Sequence, residues 1–93
     1  MRLDQQEARA LRRATRGLSE VHLFGSRTDP AARGGDIDIL VYSKEPPLEL
    51  AQRIGREFFL LCEQKLDVVV LDPDNLSAEQ AAFLASLTLE RFR

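Results

Sequence analysis

The residues best equipped for chemistry are three aspartates and one glycine–serine pair. Asp36 and Asp38 stand two apart at the head of the run DIDILVY, which reads as a β-strand. Side chains alternate along a strand, so both carboxylates fall on one face of the sheet. Crowded there, they repel each other unless a cation sits between them. Gly25-Ser26 closes the preceding strand-like run and offers backbone N–H groups and a hydroxyl, groups suited to holding phosphate. Asp67 is a lone acid inside the apolar run KLDVVVL, where an ionisable group needs a reason to be. An acid pair beside a phosphate cradle points to a metal–nucleotide site.

The elements that must position these groups follow from pattern. Residues 4–16 are expected to form a helix, with Asp4 and Glu7 as a capping box and Leu3, Ala8, Leu11, Ala14 and Leu18 near one face. Arg12, Arg13 and Arg16 suit the negative end of its dipole or a solvated face; gripping phosphate or a partner is the other reading. Gly17 is a natural stop. Residues 20–24 form the first strand, and the lone histidine, His22, is expected to pack there rather than catalyse. A short turn or helix from Ser26 to about residue 32 leads to Arg33-Gly34-Gly35, whose glycines keep the approach to Asp36 free of bulk. Residues 36–42 are apolar on both faces toward their end, which suits a central strand covered on both sides.

Pro47 opens a long helix, expected over residues 48–63, with Ala51, Ile54, Phe58, Leu61 and Cys62 as its apolar stripe. Leu50 and Phe59 either widen that stripe or mark a patch that meets another protein. Residues 65–71 form the third strand. A helix connects it to the second strand, so the right-handed crossover rule sets the two side by side and parallel, with Asp67 across from Asp36 and Asp38. Ser77 and Gln80 make a second capping box for a helix from Ala78 to about Leu87. The last residues, TLERFR, extend that helix or trail as an irregular tail. The expected fold class is α/β: a small mixed sheet of about three strands flanked by helices, in the order αβαβαβα.

Bulk composition narrows the function. A chain of 93 residues is expected to be one domain, 1–93, near the lower end of what folds without staples. A formal net charge of −2 gives no general pull toward nucleic acid or an anionic membrane. Cys62 is the only cysteine, so neither an intramolecular disulfide nor a cysteine-cluster metal site can form. No apolar run approaches the roughly 20 residues that span a bilayer, and the opening residues lack a secretory pattern. Cytoplasm is the expected location.

Gly25-Ser26, the nine residues that follow, Asp36-Ile37-Asp38, and Asp67 on a later strand together resemble the nucleotidyltransferase superfamily of the DNA polymerase β type. Within it, the short length resembles the minimal nucleotidyltransferases, which are often paired, antitoxin-like, with a helical HEPN or substrate-binding-type partner. The likeness covers roughly residues 18–71 and implies a palm-like fold. It implies transfer of a nucleoside monophosphate, usually AMP from ATP, to a hydroxyl, with release of pyrophosphate. Asp36, Asp38 and Asp67 would hold two Mg²⁺ ions, and Asp67 would also take the acceptor's proton, by two-metal logic. Gly25 and Ser26 would hold the β- and γ-phosphates, with Arg27, and less directly Arg33, adding a charge-assisted bond.

The acceptor remains open between a partner protein such as a HEPN toxin and a small molecule. A non-catalytic antitoxin that neutralises its partner by binding alone is the alternative from another class, and an acidic phosphoacceptor domain is a third. Self-association is also compatible with so short a domain. Three departures from the family pattern touch the phosphate contacts. Gly35 replaces a frequent serine before the first aspartate, the connection from Ser26 to Asp36 is short, and Asp29-Pro30 stands where Arg/Lys-Gly is common.

Overall fold

A computed structural model describes residues 1–32 and 35–93. Helix α1 (Gln5–Ala14) begins at Asp4, whose side chain accepts from the Glu7 N–H while Glu7 accepts from the Asp4 N–H, so the capping box closes in both directions. Strand β1 (Val21–Phe24) follows, then a single 3₁₀ turn at Gly25–Thr28 and strand β2 (Ile37–Tyr42). Helix α2 (Pro47–Phe59) has proline in its first turn, where the missing N–H costs nothing. Strand β3 (Leu66–Leu71), helix α3 (Ala78–Ala85) with its Ser77–Gln80 capping box, and strand β4 (Glu90–Arg91) complete the order.

The sheet runs β3-β2-β1-β4 and is mixed. β1 pairs antiparallel with β2 and with β4, whereas β2 and β3 are parallel, as a strand–helix–strand connection dictates. Alternation along β1 and β2 sends Val21, Leu23, Ile37, Ile39 and Val41 to one face, where α1 and α2 cover them with Ala10, Leu11, Ala14, Leu50, Ile54 and Phe58. The other face is thinner. Phe24, Leu40 and Leu71 are buried there under partly exposed Leu76, Leu84, Leu87 and Leu89, and α3 itself buries no residue fully.

Two expectations change, the strand count and the length of α2, and the alternative left open for Leu50 and Phe59 is decided. The sheet has four strands, because the C-terminal residues that were expected to extend a helix or trail free instead pair with β1. The Phe92 N–H donates to the Val21 carbonyl, so the edge of β1 is occupied by backbone bonds that no side-chain pattern encodes. Leu50 belongs to the core, since α2 meets both the sheet and α1 and its apolar face is wider than one stripe. Phe59 lies outside it, exposed. α2 also ends at Phe59, four residues short of the expected limit, with Leu60–Cys62 closing the last turn through bonds to Arg56 and Phe58 carbonyls.

Candidate active site

The β2–β3 register sets Asp38 directly beside Asp67, and the β1–β2 register sets Phe24 beside Asp38. One rung of the sheet therefore carries Phe24, Asp38 and Asp67 on neighbouring strands, with Gly25 next along the chain. Asp36 lies one residue before β2 and shares the face of Asp38 by alternation. The structure thus brings the three aspartates together at one end of β2 and β3, on the thinner face of the sheet.

Gly25 explains how the turn approaches them. Its φ is +73°, and a Cβ added there would stand 2.5 Å from Asp38 Oδ2. Any other residue would meet both an unfavourable backbone and the carboxylate. Gly35, with φ +89°, does the same for Ser26, whose hydroxyl a Cβ at this position would clash with. This gives a local reason for glycine before Asp36 in this chain: Ser26 closes over it. The Ser26 hydroxyl is also 3.5 Å from the Asp36 carbonyl oxygen. Gly25, Ser26 and the aspartates therefore form one contiguous group.

Charge in this group is poorly balanced. Asp36 and Asp67 are about half exposed, and Lys65 Nζ stands 3.4 Å from Asp36 Oδ2 and 4.0 Å from Asp67 Oδ2. Asp38 lies deeper. Burial, then the charges of Asp67 and Asp36 and hydrogen bonding with Asp67, push its carboxyl above the usual aspartate range, with Lys65 pulling the other way. A site that raises a carboxyl by crowding it with others would gain from a cation. Three carboxylates offer the hard oxygen donors that suit Mg²⁺ and leave positions for phosphate. In their present rotamers no three acid, histidine or cysteine side chains among the described residues are gathered closely enough to enclose an ion.

Arg27 is placed differently from the sequence expectation. Its guanidinium is buried and donates from Nη1 and Nη2 to the two Glu7 carboxylate oxygens, both at 2.8 Å. Nε donates to the Gly35 carbonyl at 3.1 Å and Nη1 also to the Arg2 carbonyl at 2.8 Å. A guanidinium so occupied braces the turn from beneath instead of facing a phosphate. The pairing holds the Glu7 carboxyl below its ordinary range against the opposing effect of burial. Arg2 adds to the brace, donating to the Ser26 and Asp29 carbonyls. Arg33 and Gly34 lie outside the described residues.

Sequence reasoning missed Glu7 and Arg2, whereas the pairing of Lys65 with Asp67 is within its reach. Glu7 was fully accounted for as a helix cap, and nothing in its spacing announces that it also holds Arg27. His22 keeps its packing role: Nε2 pairs with Glu20 at 2.7 Å, the ring meets Tyr42 edge-on, and Nδ1 is buried without a hydrogen bond.

A family model described as a nucleotidyltransferase domain matches residues 6–88. The chain belongs to that family, as a minimal nucleotidyltransferase domain. A comparison with curated proteins gives no match. Membership assigns nucleotidyl transfer in general, and no helix among the described residues is long and apolar enough to cross a membrane.

Proposed function

We propose that the protein transfers AMP from ATP to a hydroxyl on a partner protein, of which a helical HEPN-type chain is the expected example. The observation that carries this reading is the rung that sets Asp38 beside Asp67 with Gly25 against the Asp38 carboxylate, so that acid cluster and phosphate turn are one site. Asp36, Asp38 and Asp67 would hold divalent cations; when bound, these would neutralise the triphosphate and make the acceptor hydroxyl more acidic. Gly25 and Ser26 would keep the phosphate tail in place, glycine allowing the close approach. Asp67, the outer acid, would accept the proton as the acceptor oxygen bonds to the α-phosphorus and the bond to the pyrophosphate oxygen breaks.

Thermal shift is the first test. Wild type and Asp36→Ala are heated with each NTP, with and without Mg²⁺. A ligand at about 100 times its dissociation constant stabilises by about 2.7 kcal/mol, a rise on the order of ten degrees for this size. A Mg²⁺-dependent rise with ATP that vanishes in Asp36→Ala supports the site. Incubation of the co-purified complex with α-labelled ATP then tests transfer. Labelled partner supports the reaction; a complex that binds partner but labels nothing would assign the chain to neutralisation by binding alone.

A further inference from the structure

The face of α1 turned away from the sheet carries a charge pattern that neither the fold nor nucleotide transfer uses. Arg9, Arg12 and Arg13, three and four residues apart on the helix, and Arg16 in the turn just past it are all exposed and lie along one concavity. Like charges so spaced repel, and the chain as a whole is acidic. Among the described residues these arginines have one acidic neighbour, Glu57, 3.8 Å from Arg13. Capping the helix does not require them either, because the Arg93 guanidinium already donates to the Thr15 carbonyl at the helix end.

The arginines are continuous with apolar surface. Arg9, Arg12, Arg13, Arg16 and Arg93 line a concavity with Leu61, and Leu61 also lines the adjoining hollows, one beside Gln5 and Ala8 and the other beside Phe59 and Leu60. Phe59 and Leu60, at the end of α2, are 63% and 70% exposed. Guanidinium groups rather than ammonium groups suit bidentate capture of carboxylate or phosphate. Leucine and phenylalanine at the same place call for an apolar side chain, which a phosphodiester backbone lacks.

We propose that the outer face of α1 with the C-terminal end of α2 docks an acidic amphipathic helix of a partner protein. Its carboxylates would pair with Arg9, Arg12, Arg13 and Arg16, and its apolar side chains would cover Leu61, Phe59 and Leu60, a helix-in-groove mode. α1 and α2 cover the face of the sheet opposite the aspartates, so a partner anchored here leaves Asp36, Asp38 and Asp67 open. The surface is independent of whether the chain transfers nucleotide.

The probe is a fluorescein-labelled helical peptide with leucines at i, i+3, i+4 and i+7 and glutamates elsewhere, followed by anisotropy at 150 mM salt. Expected is binding at least tenfold tighter than to the same peptide with lysine for glutamate, or with serine for leucine. The double variant Arg9→Glu/Arg12→Glu should lose at least tenfold and Phe59→Ser several-fold. Arg53→Glu, which makes half that change in net charge at a site on α2 beside Glu45, should bind as wild type. Circular dichroism melting checks that each variant is folded. Equal binding of the acidic and basic peptides, or indifference to the charge reversal, would overturn the proposal. So would tighter, charge-reversal-sensitive binding of single-stranded RNA or of anionic vesicles, which would reassign the surface to phosphate.

Discussion

Beneath the Gly25–Thr28 turn, Glu7 and Arg27 bury one negative and one positive charge with every contact made; above it, Asp36, Asp38 and Asp67 gather three negative charges around one exposed lysine. The lower cluster is balanced and closed. Its guanidinium reaches three parts of the chain, Glu7, the Arg2 carbonyl and the Gly35 carbonyl, so it fixes the turn relative to α1 and to the approach to Asp36. The upper cluster is left unbalanced and half open, and its deepest member bears the consequence in a raised carboxyl. Rigidity sits in the closed pair, and uncompensated negative charge in the open cluster, where a cation would offset it.

The largest expected effect comes from emptying the upper cluster. Asp38→Asn should abolish label transfer, a fall on the order of a thousandfold or more if the group stabilises developing charge, while the melting temperature holds or rises because repulsion is relieved. A variant that keeps wild-type turnover would sink the assignment of Asp38. Breaking the lower cluster should do the reverse. Glu7→Ala strands a buried guanidinium and should cost about 3–5 kcal/mol in urea unfolding. The double change Glu7→Gln/Arg27→Met should recover much of that loss, since no lone charge is left behind; a double variant as unstable as the single one would mean that the brace, not the charge, carries the stability.

Gly25→Ala probes the seam between the clusters. Left-handed backbone at a non-glycine residue costs on the order of 1–3 kcal/mol, and the methyl must displace the Asp38 carboxylate. The Mg²⁺·ATP thermal shift should therefore vanish even in protein that remains folded at 25 °C. An undiminished shift would show that the turn and Asp38 can part without harm.

Acid separates the clusters by sign. The Glu7 carboxyl is depressed in the folded state, so its contribution is present above the ordinary glutamate range and is lost as pH falls through the lower folded value. Asp38 is raised, so its contribution is fully present below the ordinary aspartate range and is lost as pH rises through the higher folded value. Melting curves from pH 3 to 7 should show Glu7→Gln losing the acid-side fall and Asp38→Asn losing the decline on the other side. The smallest effect is expected from Lys65→Met. As an exposed pairing it should change stability by no more than about 1 kcal/mol, and downward, because it removes the positive charge paired with Asp36 and Asp67 among the described residues.

Much of this arrangement could be read from the chain. Alternation placed Asp36 and Asp38 on one face, the crossover rule brought Asp67 beside them, and both capping boxes formed as their spacing required. Those features are local, or follow from the handedness of the chain. Arg27 was misjudged because a charged residue beside a phosphate-like turn has two possible partners, and only the packing of α1 against the turn selects Glu7. Strand β4 was invisible for a different reason. Its two residues carry no period, and what holds them is the open backbone edge of β1.

Helix α3 has a further consequence. It is fastened over the sheet by the partly buried Leu84, with Leu76, Leu87 and Leu89 in the flanking segments, and by an edge-on contact between Phe83 and Phe24, with no residue fully buried. Regions so lightly anchored open locally at a fraction of the global unfolding free energy. Its amides should therefore exchange with solvent well ahead of those of α1, β1 and β2. The sheet face that carries the aspartates would then lie beneath the part of the molecule that yields first, so that this face can be uncovered without the core having to move.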